Sequence, residues 1–296
     1  MARLPSGQQQ PSAVQAPPTT IRSSLVAGLL DAVSIHNVAI FVLTSNHVRR
    51  NMFRCAVLNL LLFCGSILLT NWVLVPLAGK MLGDISSGGL IVAVLQRLYQ
   101  ILWIYPVYCL SFLFNTLWYQ GIADSAFIVH GYKPVRRTPS LSQWISAMAD
   151  EVYRIVFLGS FFTVITLTSF IPLLGRYVWL VMLTWLYSFY MWEYKWALQG
   201  WSMDRRIIFF QRRWPYFFGF GFPAALLTVI WPSFVSYGIL AFLFPCFIIL
   251  AITSRPVPAV TETPEGLPIF KASQFITEKI LQFQFSQAND KQLHTD

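Results

Sequence analysis

Two adjacent arginines stand directly before an uncharged segment that opens with a proline. Arg212 and Arg213 precede Trp214-Pro215 in the sequence. Proline suits the first turn of a helix, so the backbone N–H groups of that turn and two guanidinium groups can converge on an anion. The pattern predicts a site for an anion or a lipid headgroup, formed by Arg212, Arg213, Trp214, Gly219 and Gly221. The simpler alternative is an ordinary basic flank with an aromatic anchor.

Two other charged groups lie at the ends of apolar segments. Asp150 and Arg154 are four residues apart, the spacing of an ion pair on one helical face. Glu193 has three possible roles: a pair with Lys195, a pair with a basic residue of another segment, or a proton-linked carboxylate in a transporter. Structural pairing is the simpler interpretation for both groups.

The sequence lacks the common motifs of enzymes. It contains no H-E-x-x-H, G-x-x-x-x-G-K-[ST] or G-x-S-x-G, and its four histidines are scattered. The four cysteines lie inside apolar segments without C-x-x-C or Cys/His metal spacing. We therefore expect no catalysis, no cofactor and no metal site.

The composition is typical of a membrane protein. Hydrophobic residues make up 56% of the 296 residues and charged residues only 11%. The formal net charge of +9 comes from short basic clusters beside apolar runs, which favours contact with anionic lipid over a nucleic-acid partner.

Uncharged runs predict about six inserted helical segments within a membrane domain at 21–254. Residues 1–20 are rich in Pro, Gln, Ser and Thr, which predicts a disordered cytosolic tail. Residues 21–48 are interrupted by polar groups and predict an amphipathic helix on the membrane surface. The predicted segments are 55–79, 98–123, 155–175, 177–192, 214–232 and 234–254. The last two fit a shallow pair that enters and leaves on one side nearly as well as two spans, because glycines and prolines weaken helix continuity.

The basic residues predict which loops are cytosolic. With six crossings, eighteen of the 21 lysines and arginines fall on one side, and only Lys80, Arg97 and Arg176 fall on the other. Basic loops resist translocation, so both termini are expected in the cytosol. The tail 255–296 begins with a Pro-rich linker and continues with Ile269, Ile276, Ile280 and Phe283 at the spacing of a second surface helix.

Several longer stretches carry a family resemblance. They run from Leu117 to Phe127, from Tyr187 to Trp196, from Arg213 to Pro223 and from Leu243 to Pro245. They contain the motif residues Trp118, Gln120, Asp124, Phe127, Glu193, Trp196, Trp214, Pro215, Gly219, Gly221 and Pro223. With them, the chain resembles the etoposide-induced protein 2.4 family of the eukaryotic endoplasmic reticulum, which is distantly similar to CysZ-type sulfate permeases.

The resemblance implies an all-α, multi-pass membrane protein of the endoplasmic reticulum that is required for autophagy, at autophagosome maturation toward degradation. It also implies a link to apoptosis in animals, and membrane lipids and autophagy-machinery proteins as partners. Animal members have a basic N-terminal region that contacts import receptors. Here only Arg3 and Arg22 precede the surface helix, which puts that partner in doubt. The sulfate-permease relation gives the alternative function, transport of a small anion.

Overall fold

The computed structural model describes residues 20–69, 72–73, 76, 105–135, 141–230, 233–261, 263 and 265–293, and the regular structure in these ranges is helical. The helices are α1 (Ile21–Ala32), α2 (Ile35–Thr44), α3 (Asn46–Leu69), α4 (Tyr105–Val129), α5 (Leu141–Thr168), α6 (Gly175–Leu198), α7 (Met203–Arg212), α8 (Trp214–Ile230), α9 (Ser233–Thr253) and α10 (Lys271–Leu293). The fold class of the described residues is therefore all-α, as predicted.

Each predicted inserted segment overlaps one helix, but the helices have different ends. The helix α5 begins at Leu141, fourteen residues before the apolar run that starts at 155, because Asp150 and Arg154 lie on the helix itself. The parts of the predictions at 1–19, 77–104 and 136–140 lie outside the described residues. Hydropathy locates apolar stretches, and it does not locate the ends of helices that continue into polar sequence.

One helical stretch among the described residues, Ile21–Thr44, is long and apolar enough to cross a membrane. It consists of α1 and α2, which are joined at Val33 and Ser34. Shorter apolar helices cover Val152–Thr168, Trp214–Ile230 and Gly238–Thr253. Their lengths are close to the lower limit of about 17 residues for a spanning helix.

The helix α1 packs tightly against α8, which differs from the predicted surface helix over 21–48. A Cβ atom added to Gly28 would lie 2.0 Å from the carbonyl oxygen of Tyr216, and one added to Gly219 would lie 2.1 Å from that of Leu25. The two backbones are in contact because neither glycine has a side chain. The Tyr216 hydroxyl donates to Asp31 Oδ2 at 2.5 Å, so a polar residue that argued against insertion has its partner on α8.

Aromatic rings of α6, α7 and α8 form the centre of the core. The rings of Phe210 and Phe217 stack with centroids 4.3 Å apart, and Trp192 and Trp196 contact Phe217 edge to face. Such pairs add about 0.5–1.5 kcal/mol beyond the burial of their area. These rings fix α7 and α8 against the last turns of α6.

The helix α9 contains Pro245, which has no N–H to donate to the carbonyl of Ala241 four residues earlier. That carbonyl accepts hydrogen bonds from Asn59 Nδ2 at 3.1 Å and from the Tyr119 hydroxyl at 2.9 Å. Asn59 also exchanges amide hydrogen bonds with Asn115. Polar side chains of α3 and α4 therefore supply the donors that the proline removes.

The C-terminal segment docks on the helical body. Phe270 is fully buried, and its ring centroid lies 4.8–5.4 Å from those of Phe157, Phe161, Phe189 and Phe210. Of the α10 side chains that the structure describes, Ser273 and Thr277 are buried, and the Thr277 hydroxyl donates to Ser160 of α5 at 3.2 Å. Ile280 and Phe283 of the predicted apolar stripe are exposed. Phe270 is therefore the main apolar anchor of the tail.

Candidate functional site

Four predicted cytosolic segments meet at one end of the bundle. His47 Nδ1, at the start of α3, lies 2.7 Å from the Ser125 hydroxyl near the end of α4. The N–H of Val135, after α4, donates to the carbonyl of Leu198, at the end of α6. We call the surface formed by residues 45–54, 125–135, 193–213, 254–261, 263 and 265–267 the basic end. Leu173, in the turn before α6, lies roughly 35 Å away along a helix of 24 residues.

Glu193 pairs with arginines of two other helices at the basic end. Its side chain is 2% exposed, and its Oε1 accepts a hydrogen bond from Arg206 Nη1 of α7 and lies 3.7 Å from Arg154 Nη1 of α5. Arg206 also donates to the carbonyl of Trp201 from Nε and Nη2, at 2.9 and 2.7 Å. One buried carboxylate thus connects α5, α6 and α7, and removing it would leave two cations partly buried without their partner.

Lys195 has different partners from Glu193, because residues two apart point to different faces of a helix. Its Nζ donates to the carbonyls of Ala251 and Ser254 at 3.0 and 2.5 Å, and it lies 4.7 Å from the centre of the Trp192 ring. The lysine therefore caps the C-terminal end of α9. Lys195 lies beyond the apolar segment 177–192; burial lowers the pKa of its ammonium group to about 7, and the charge of Arg255 adds to the decrease.

The sequence suggested an ion pair for Glu193 and one between Asp150 and Arg154, and the structure describes the side chains of only the first. Glu193 is paired with basic residues of other segments, and the structure does not place Lys195 beside it. Asp150 lies on α5 with Arg154, but its side chain is outside the described set, so the Asp150–Arg154 pair stays a prediction.

Arg212 and Arg213 differ in their surroundings. Arg212 is exposed. Arg213 Nε donates to the carbonyl of Val257 in the C-terminal linker at 3.0 Å, and its guanidinium lies 4.0 Å from the centre of the Phe209 ring. The side chain of Arg213 thus holds the linker against α7. Binding of an anion by this arginine pair stays a prediction.

Trp214 and the backbone carbonyl of Gln211 make two further contacts with the linker. Trp214 Nε1 donates to the Thr263 hydroxyl at 3.2 Å. Pro215 has no N–H for the carbonyl of Gln211, four residues earlier, and that carbonyl accepts from the N–H of Leu267 at 3.1 Å. Gly266 has a φ of +83°, and an added Cβ would lie 2.5 Å from the Gln211 oxygen. The linker approaches α7 this closely because position 266 is glycine.

The glycines of the predicted anion site lie at helix contacts. Gly219 meets α1, and a Cβ added to Gly221 would lie 2.1 Å from the carbonyl oxygen of Thr184 on α6. Pro223 lies inside α8. The structure places the two glycines at helix–helix contacts and Arg213 against the linker, and does not bring them together around one cavity.

The remaining motif residues belong to packing and local hydrogen bonds. Gln120 Nε2 donates to Asp124 Oδ1 at 3.1 Å, and Phe127 is buried with its ring 5.0 Å from that of Tyr132. Trp118 is half-buried at the edge of the core, and Trp196 stacks on Trp201. These residues stand out as a motif in the sequence, but the motif does not indicate which residues they contact.

Three functional contacts were not predicted from the sequence: Arg206 to Glu193, Tyr216 to Asp31, and Asn59 to Ala241. Asn59 carried a usable signal, because an amide in the middle of an uncharged helix needs a buried partner. Among the residues the structure describes, no group of three or more His, Cys, Asp or Glu could hold a metal ion.

Comparisons with known proteins show where the chain belongs. Residues 34–245 match the family described as Sulfate transporter CysZ/Etoposide-induced protein 2.4. The chain is 30% identical to Protein EI24 homolog of Dictyostelium discoideum, over 89% of this chain and 85% of that protein. It is also 30% identical to Protein EI24 homolog of Arabidopsis thaliana, over 77% and 82% of the two chains.

A third relative is Ectopic P granules protein 4 of Caenorhabditis elegans, which is 29% identical over 61% of this chain and 57% of that protein. The family match covers most of the chain and includes the stretches from Leu117 to Phe127 and from Arg213 to Pro223, on which the resemblance depended. The chain is a member of the CysZ/etoposide-induced protein 2.4 family.

Proposed function

We propose that this protein is a multi-pass membrane protein of the endoplasmic reticulum that acts without catalysis in autophagy, at the maturation of autophagosomes toward degradation. The autophagy role rests on family membership and on the resemblance of the motif stretches. The proposed location in a membrane is supported mainly by the distribution of apolar and basic residues over the helical body.

Large apolar side chains are exposed on several helices, as expected of a surface in contact with lipid. They include Leu30, Leu43, Leu61, Leu117, Phe162, Leu167, Phe170 and Leu173. Such a surface would be costly in water and stable in a bilayer. Much of this exposed apolar surface belongs to apolar helices of about 16 to 25 residues.

The basic end supports an orientation. It brings together segments that contain ten of the 21 lysines and arginines, including Arg49, Arg50, Arg205 and Arg212. Arg176 lies with the opposite turn, one residue into α6. By the positive-inside rule the basic end faces the cytosol, where lipid headgroups and autophagy-machinery proteins can reach it. Neither nucleic acid nor an import receptor is part of the proposal.

Autophagic turnover tests the proposed role. In cells that lack the gene, we expect autophagosomes to accumulate without degradation of their cargo, and the wild-type chain to restore turnover. A variant with Arg205→Glu and Arg212→Glu changes two exposed charges of the basic end and should restore it less well. Lys271→Glu with Lys279→Glu, two exposed lysines of α10, is the matched control. Normal turnover in cells without the gene would contradict the proposal.

Transport of a small anion such as sulfate is the alternative. Two observations favour it: the family description names a sulfate transporter, and Glu193 is a buried carboxylate at the end of an inserted segment. Uptake into proteoliposomes separates the two functions. Sulfate flux that depends on Arg212, Arg213 or Glu193 would support transport, whereas the contacts of Glu193 and Arg213 within the chain favour a structural role for both.

A further inference from the structure

An open cleft lies beside the first two turns of α3, at the basic end. It has a volume of about 690 Å³ and is lined by Asn46, His47, Arg49, Arg50 and Phe53, and we call it the α3 cleft. Small-molecule sites have volumes of roughly 300–1,000 Å³, so the cleft can hold a lipid headgroup. None of these residues belongs to the anion site predicted at Arg212 and Arg213.

Neighbouring groups position the polar side chains of the α3 cleft. Arg49 Nη2 donates to Asn46 Oδ1 at 2.6 Å. His47 Nδ1 lies 2.7 Å from the Ser125 hydroxyl and 3.2 Å from Asn51 Nδ2, so both contacts hold the ring at this one nitrogen. A guanidinium that is already oriented loses less conformational entropy when it binds a phosphate.

The charges of the α3 cleft differ from those of the Glu193 cluster. Arg154 and Arg206 share a buried carboxylate, whereas Arg49 and Arg50 form no ion pair with a carboxylate among the residues that the structure describes. Two exposed arginines in one cleft concentrate positive charge, and the guanidinium fork matches the oxygens of a phosphate. The complementary ligand is therefore a phosphate anion.

Apolar side chains at the cleft favour a lipid as the source of that phosphate. Phe53, in the cleft wall, is 68% exposed, and Leu43, which is outside the lining and three residues before Asn46 in the sequence, is 76% exposed. A free anion makes no favourable contact with apolar side chains, whereas the first carbon atoms of an acyl chain can pack against them. Basic residues next to exposed apolar side chains are the usual arrangement at an anionic leaflet.

We propose that the α3 cleft binds the phosphate of an anionic phospholipid, with Arg49 and Arg50 on the phosphate and Phe53 against the acyl chain. This inference rests on the proposed function in that it requires a membrane around the chain. It adds a specific lipid class and the residues that recognise it.

Binding of short-chain lipids to the full chain in detergent tests the proposal. The probes are dioctanoyl phosphatidic acid, dioctanoyl phosphatidylcholine and inorganic phosphate. We expect saturable binding of phosphatidic acid, and a loss of on the order of tenfold in Arg49→Gln/Arg50→Gln, as for charge-assisted hydrogen bonds. Phe53→Ala should weaken the binding of phosphatidic acid. Lys271→Gln/Lys279→Gln removes two exposed charges of α10, outside the basic end, and should change little.

Three results would overturn the proposal: unchanged binding in Arg49→Gln/Arg50→Gln, an equal loss in the control variant, or inorganic phosphate that binds as tightly as phosphatidic acid. The third would assign the cleft to a free anion. Both arginines are exposed, so the variants should keep their elution position in size-exclusion chromatography. Resistance of the wild-type chain to alkaline extraction from membranes tests the membrane proposal separately, because it does not depend on the cleft.

Discussion

Pro245 in α9 and Pro215 in α8 each remove the usual donor of a helix carbonyl, and the two carbonyls find their partners in different ways. The oxygen of Ala241 accepts from the side chains of Asn59 and Tyr119 within the bundle. The oxygen of Gln211 accepts from a backbone N–H of the C-terminal linker at the basic end.

This difference separates a fixed region from one that can detach. The contacts of Ala241 join three helices, so they can break only if the bundle opens. The contact of Gln211 joins the body to a linker that is held by a few hydrogen bonds and by Phe270, so it can break while the helices stay packed. Regions with few buried contacts open first.

The largest effect is expected from Phe270→Ala. Truncation of a fully buried phenylalanine costs about 3–5 kcal/mol, and here we expect the cost to release the segment 271–293 and leave the body folded. Hydrogen–deuterium exchange in detergent should then show faster exchange in α10 alone. Phe275→Ala, on the exposed face of the same helix, is the control. Unchanged exchange in α10 would show that Phe270 is not the anchor.

Asn59→Leu should destabilise the whole bundle. It removes a donor to Ala241 and leaves the buried Asn115 amide without this partner, at a cost of about 2–4 kcal/mol. Thermal unfolding in detergent measures the loss. The double variant Asn59→Leu/Asn115→Leu replaces both amides by apolar groups and should recover part of the stability. A single variant as stable as the wild type would contradict the account of Ala241.

Gly266→Ala should weaken the linker contact by about 1–3 kcal/mol. It forces a left-handed backbone on a residue with a Cβ atom, and that atom would lie 2.5 Å from the Gln211 oxygen. Gly131→Ala is a matched control, since Gly131 has a φ of +86° and open space around its Cβ position. If exchange of the amides around position 266 in Gly266→Ala increases more than exchange around position 131 in Gly131→Ala, the additional effect is due to the close contact with Gln211. Equal increases around the two positions would mean that the left-handed backbone conformation alone causes the effect.

Tyr119→Phe should have the smallest effect, about 1 kcal/mol, because Asn59 still donates to Ala241. Its value lies in a double-mutant cycle with Pro245→Ala. Alanine at 245 restores a backbone N–H four residues after Ala241, so the loss of the tyrosine hydroxyl should cost less in that background. An additive result would mean that the proline is not the reason for the tyrosine contact.

The sequence was sufficient to predict the helical class, and each predicted apolar run overlaps a helix of the described residues. These depend on composition and on runs of uncharged residues, which are local properties. The buried face of α1 was not predictable, because it consists of the small residues Ser24, Gly28 and Ala32, which do not stand out in a pattern of large apolar residues.

The candidate site was predictable only in part. Glu193, at the end of an apolar run, indicated a paired charge. Its partner Arg206 could not be identified from the sequence, because the pair forms only when α7 packs back against α6. The hydrogen bond between the linker and the Gln211 carbonyl could not be predicted, because the donor is a backbone N–H and carries no signal in the sequence.

The central claim is that the protein crosses the membrane with its basic end in the cytosol. Single cysteines at Leu173 and Ser202, in a chain whose four native cysteines are replaced, test it directly, since Leu173 is 95% exposed and Ser202 is exposed at the basic end. In sealed microsomes, an impermeant maleimide should label Ser202→Cys at once and Leu173→Cys only after the membrane is permeabilised. Labelling of both sites in sealed microsomes, or of Leu173→Cys alone, would contradict the account.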